Sequence, residues 1–123
     1  MPRLRHRATT HASRLEAKFA LYWRGLGSPE LQREFVFYPE RKWRADFAHV
    51  GSRTLIEIEG GIFLAGGGRH NRAAGFIADA EKYLEAFLAG WNVVRLTGPQ
   101  ITTPSIERII RRVSMDTDTK RPA

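Results

Sequence analysis

The sequence predicts an α/β protein, a small mixed β-sheet flanked by helices in the order α-β-β-β-α-β-α. Three features predict it. Apolar residues recur at helical spacing in two stretches, Leu15 to Leu26 and Phe76 to Leu88. Two alternating runs, Lys42 to Val50 and Arg53 to Gly60, flank Gly51-Ser52, the pattern of a β-hairpin with a two-residue loop. A short apolar run centred on Val93-Val94 then follows the second helix closely, as in a strand–helix–strand crossover.

The first helix is expected over residues 13–26, with Leu15, Phe19, Tyr22, Trp23 and Leu26 as its apolar stripe. Ser13 and Glu16 fit a capping box at its start, and Gly25, Gly27 and Ser28-Pro29 stop it. Residues 34–38 read as a first strand, closed by Pro39-Glu40. The hairpin supplies the second and third strands, with Phe47, Ile56 and Ile58 on a buried face. Gly60-Gly61 and Gly66-Gly67-Gly68 mark a loop. The second helix is expected over 71–89, burying Phe76, Ala80, Tyr83, Leu84, Phe87 and Leu88, with Gly90 as its C-cap. Residues 91–97 form the fourth strand, beside the third or close to it, and 105–113 form a short basic helix. Residues 1–12 read as a flexible basic arm, 13–113 as one domain and 114–123 as a frayed tail.

A chain of 123 residues suits one compact domain. Its hydrophobic fraction of 42% supports a core rather than wholesale disorder. The formal net charge is +7 and the pI near 10.5, with Arg supplying most of the cations. Arg makes bidentate phosphate contacts, so this balance points to a nucleic-acid partner, against the plainer alternative of a compositional bias. The absence of Cys excludes disulfides, thiolate metal sites and a Cys nucleophile. No segment reads as a membrane span or a secretory signal, and a reducing cytoplasm is the expected compartment.

The chemistry concentrates around the hairpin. If Gly51-Ser52 is the whole loop, Val50 pairs with Arg53 and Asp46 lands opposite Glu57. Opposed residues bring their Cβ atoms within about 5 Å of each other. Two carboxylates so close repel unless one is protonated or a cation sits between them. A hard divalent ion keeps both charged, and beside a basic chain that suggests metal-assisted attack on phosphate. A solvated hairpin face is the alternative. Glu59 falls opposite Arg44 in the same register, where a cross-strand ion pair explains it equally well. Asp79 and Lys82, three apart, fit an ordinary helix-surface pair. Arg69, His70 and Arg72 follow the glycines, and His70 offers a phosphate contact or a proton for a leaving oxygen. Arg108, Arg111 and Arg112 give the last helix a cationic face that either is merely solvated or tracks a phosphate backbone. Trp23, Trp43 and Trp91 read as core residues.

Arg44-Ala45-Asp46 followed by Leu55-Ile56-Glu57-Ile58-Glu59 resembles the PD-(D/E)XK nuclease superfamily. The element order matches that superfamily's restriction-endonuclease-like core across nearly the whole chain. Glu57-Ile58-Glu59-Gly60-Gly61, Gly68-Arg69-His70, Gly75-Phe76, Asp79-Ala80-Glu81-Lys82-Tyr83 and Gly90-Trp91 to Arg95-Leu96-Thr97 are similar to small phage and bacterial nucleases related to very-short-patch-repair endonucleases. The resemblance implies a metal-dependent DNA endonuclease acting in DNA processing, repair or recombination in a bacterium or an infected host. It implies Mg2+, with Mn2+ as a substitute, held by Asp46, Glu57 and the carbonyl of Ile58, with Glu16 of the first helix as a further ligand. The pattern departs at Glu59, where the superfamily has Lys. Glu59 is then a base or a second-metal ligand, and the missing cation is sought at Lys82, Arg69 or His70. DNA is the implied partner, contacted by Arg44, Arg69, Arg72, Arg108, Arg111 and Arg112, and a homodimer would serve two strands. The competing readings are an inactive DNA-binding version of the fold, a ribonuclease, and a small basic interaction protein.

Overall fold

A computed structural model describes residues 11–27, 30–60 and 69–119. The elements run α1 (His11–Gly25), β1 (Gln32–Tyr38), β2 (Trp43–His49), β3 (Thr54–Glu59), α2 (Arg69–Leu88), β4 (Asn92–Thr97) and α3 (Thr103–Thr119). One four-stranded sheet has the order β1-β2-β3-β4. The first three strands are antiparallel and β4 runs parallel to β3, which gives the expected mixed sheet with β3 inside it. Phe19 and Trp23 of α1 and Ile106 and Val113 of α3 pack with Phe47, Ile56, Ile58 and Leu96 into one core cluster. A second cluster joins Ala86 of α2 to Phe37, Ala45, Ala48, Leu55 and Trp91. The sheet is therefore covered by α1 and α3 on one face and by α2 on the other. Among the described residues no helix is long and apolar enough to cross a membrane.

The hairpin keeps its expected register but not its expected loop. Phe47 pairs with Ile56, Ala48 with Leu55 and His49 with Thr54. Val50 and Arg53 leave the ladder: Val50–Ser52 forms a 3₁₀ turn, and Arg53 takes a left-handed φ of 53°. Buried polar groups favour this longer turn. The Ser52 amide donates to His49 Nδ1, whose ring nitrogen also lies 2.7 Å from Ser52 Oγ, and Ser52 Oγ meets Thr54 Oγ1 at 2.9 Å. Burial without a charged partner lowers the pKa of His49, which keeps the ring neutral in this network. The Arg53 guanidinium then donates to the carbonyls of Ala89 and Gly90 and stacks on Trp91 at 4.4 Å. Gly90, at φ 90°, ends α2 as expected, with the Trp91 amide returning to Ala86 and the Gly90 amide to Phe87.

Three expectations are corrected. The capping box fails because α1 begins at His11, which puts Ser13 inside the helix. The last helix is longer than 105–113 and reaches Thr119, through part of the segment expected to fray. The third correction concerns α2, whose expected buried face is turned outward. Phe76, Ala80, Leu84, Phe87 and Leu88 are exposed, while Lys82, Tyr83 and Ala86 face the sheet. The sheet beneath carries Glu57 and Glu59, and an uncompensated buried carboxylate costs more than an exposed apolar side chain. The helix rotates to bring its cation and hydroxyl to those carboxylates.

Candidate metal and phosphate site

The β2–β3 ladder ends at Phe47–Ile56. One step further, where Asp46 and Glu57 come into register, the Ile58 amide turns from the ladder to Asp46 Oδ2, at 2.7 Å. The Asp46 carboxylate thus sits in the opening between the two strands, anchored by a backbone N–H. Glu57 is within hydrogen-bonding reach of it, as the hairpin register predicts.

Lys82 supplies the charge that this pair needs. Its Nζ lies 2.7 Å from Glu57 Oε1, and both side chains are largely buried. Burial is the main cause that raises the Glu57 pKa to about 7. The Lys82 ammonium opposes the rise, and the neighbouring Asp46 adds to it. Asp79 is not the partner of Lys82: it faces Arg95 Nη2 at 3.5 Å.

On its other side Asp46 meets two more carboxylates. Oxygens of Glu16, Glu34 and Asp46 all lie within 4.8 Å of one another. Oxygens on one octahedral Mg2+, with bonds of about 2.1 Å, lie about 3.0 Å apart when cis and about 4.2 Å when trans, so this all-oxygen set closes on one hard cation by contracting by roughly 1–2 Å. Glu16 comes from α1 as the resemblance implies. Glu34 comes from β1 and was not expected. Its neighbours Arg33 and Phe35 pair with Phe47 and Ala45, which places Glu34 across from Asp46. Its φ of 52° is left-handed, unusual for a non-glycine residue in a strand.

No family model, curated protein or solved structure matches the chain.

Glu59 does not pair with Arg44. Arg44 lies on the β1 side, opposite Val36, with its guanidinium 3.8 Å from Glu34. Glu59 instead receives Arg95 Nε at 2.8 Å and the Tyr83 hydroxyl at 3.4 Å. The reason is the end of the β2–β3 ladder: beyond it the neighbour of β3 is β4, where Glu57 is level with Arg95 and Glu59 with Thr97. Donation of a hydrogen bond to the Glu59 carboxylate raises the Arg95 pKa. Burial, followed by the charges of Glu57 and Glu59, pushes the Tyr83 hydroxyl up, so it remains a proton donor. Arg95 also lies 4.6 Å from the Tyr83 ring.

Of the remaining candidates, Arg69, His70 and Arg72 form the first turn of α2, but their side chains lie outside the described residues. Arg108, Arg111 and Arg112 are exposed on α3. Arg108 and Arg112 line a groove of about 520 Å³ against β4, and Arg95 lies at the same groove. Sequence reasoning missed Glu34, Tyr83 and Arg95. Only Arg95 carried a readable signal, a cation on the strand beside Glu57 and Glu59.

Proposed function

We propose that this protein is a metal-dependent DNA endonuclease that hydrolyses phosphodiester bonds, using Mg2+ or Mn2+ at Asp46, Glu57, Glu16 and Glu34. The observation that carries this reading is Lys82 at 2.7 Å from Glu57. A cation stands beside the second carboxylate of the pair although the expected lysine position holds Glu59. A bound divalent ion supplies Lewis acidity towards a phosphate oxygen and towards water. Asp46, fixed by the Ile58 amide, orients the carboxylates towards the ion, and the Ile58 carbonyl is a further oxygen on the same strand. Lys82 holds Glu57 in place, and beside a bound ion its ammonium would be available to a phosphate oxygen. Glu59 holds Arg95 in position rather than acting as base. Arg108, Arg111 and Arg112 attract the DNA backbone by charge, and the proposed setting is the cytoplasm of a bacterium or an infected host.

The test incubates supercoiled plasmid and single-stranded DNA with Mg2+, Mn2+ or EDTA, for the wild type, Asp46→Asn, Glu57→Gln and Lys82→Ala. Cutting is expected with either metal and not in EDTA, with losses of roughly 10²-fold or more in each variant. Intact DNA under every metal, together with tight salt-sensitive binding, overturns the enzyme and leaves a DNA-binding module. Preferential cutting of a matched RNA strand moves the substrate to RNA.

A further inference from the structure

The side of α2 turned away from the sheet is apolar. Phe76 is 74% exposed, Ile77 66%, Leu84 55%, Phe87 72% and Leu88 65%. At 100° per residue these five lie in one arc of about 120°, opposite Lys82 and Ala86, which face the chain's own sheet. The helix is thus charged towards its own sheet and apolar towards solvent. A contiguous exposed patch above a few hundred Å² marks an interaction surface.

We propose that this face of α2 joins two copies of the chain as an antiparallel homodimer. The spacing is that of a helix seam: Ala73, Ile77, Ala80, Leu84 and Phe87 follow one another at steps of four, three, four and three residues. In an antiparallel pair the two kinds of seam position alternate. A twofold axis passing between Ala78 and Asp79 sets Ile77 against the second copy's Ala80, and Leu84 against its Ala73. Ile77 and Leu84 each meet an exposed alanine, and Phe87 comes level with position 70 of the second copy, a histidine, so the centre of the surface is complementary to itself. The same register sets Glu85 level with position 72 of the second copy, an arginine.

The area is sufficient. At roughly 150–250 Å² for a fully exposed large side chain, the five offer roughly 600 Å² per copy. Two copies bury roughly 1,200 Å², the lower bound of stable interfaces. The rim carries carboxylates. Glu81 and Glu85 border the stripe, and Glu81 is held by Arg41 at 2.7 Å. Surface-binding amphipathic helices carry a basic border instead.

Light scattering on the full chain, with sedimentation across micromolar concentrations, reads the outcome. The wild type is expected at twice 14.0 kDa. Ile77→Glu and Leu84→Glu are each expected to weaken association at least about 100-fold with an unchanged circular dichroism spectrum, because both side chains are exposed in the single chain. A monomeric wild type overturns the proposal, whether residues 61–68 or another protein covers the stripe. A dimer that survives both substitutions also overturns it. Cleavage is not measured, so the result is independent of the nuclease reading.

Discussion

In the proposed metal site, Glu57 would set the pH at which a cation is accepted. Its folded pKa is about 7 against an ordinary 4.5, chiefly through burial. The folded state therefore holds the proton more tightly than the unfolded chain. The stability contribution of the protonated carboxyl is complete below 4.5 and is lost as pH rises through 7. His49 acts in the opposite sense. Its folded pKa is lowered from 6.5, so its contribution is present above 6.5 and lost as pH falls. The two overlap, and a comparison with Glu57→Gln isolates the first. Between pH 5 and 8 (roughly the span of the Glu57 shift) the melting temperature of the variant should rise with pH relative to the wild type. A divalent ion competes with the Glu57 proton, so Mg2+ should stabilise the wild type more at pH 8 than at pH 5.5 or so. Parallel melting curves for both proteins across pH would remove Glu57 from the metal chemistry.

At the level of elements, the hairpin was readable because Gly51-Ser52 and the alternation on both sides fix one register. That register, read from the residues alone, sets Asp46 opposite Glu57. The turn itself was not readable, because it depends on the His49 ring meeting Ser52 and Thr54. The Glu34 contribution was hidden for a related reason. β1 and β2 are joined through an irregular register between Val36 and Tyr38, which no turn motif encodes. Glu34 pays for its position in backbone strain, about 1–2 kcal/mol for a left-handed L-residue. Glycine takes φ 52° without that cost, although it gains freedom in the unfolded chain. Glu34→Gly should therefore raise the metal-free melting temperature by a few degrees, on the order of 1 kcal/mol or less, helped by relief of repulsion from Glu16 and Asp46. The lost contact with Arg44, at 3.8 Å on the surface, counts for little. Under the proposed function, which gives the wild type one more carboxylate for the ion, the gain should shrink or reverse in Mg2+. A variant less stable without metal would mean that Glu34 serves the fold and not a cation.

For the whole molecule, the order and layering were legible from apolar periodicity and glycine punctuation, whereas the rotation of α2 was not. Periodicity reports that a helix has an apolar face, and it does not say whether that face meets its own sheet or another surface. Here the carboxylates of β3 claimed the Lys82 side, which left Phe76 to Leu88 outward. The consequence is a division of labour across the sheet. α2 lies on one face, whereas Arg108, Arg111 and Arg112 lie on α3, on the other. A dimer formed through α2 leaves those arginines open to a nucleic acid. With a net charge of +7, duplex binding should fall steeply with salt. Each phosphate neutralised contributes about 0.9 to the slope of log affinity against log salt. Replacing Arg108, Arg111 and Arg112 by Ala should therefore lower that slope by roughly 2–3, measured by fluorescence anisotropy in EDTA. The Mg2+-induced rise in melting temperature should survive, because none of the three belongs to the carboxylate cluster. An unchanged slope would place the DNA on another surface of the chain, and a lost Mg2+ response would mean that α3 shapes the metal site.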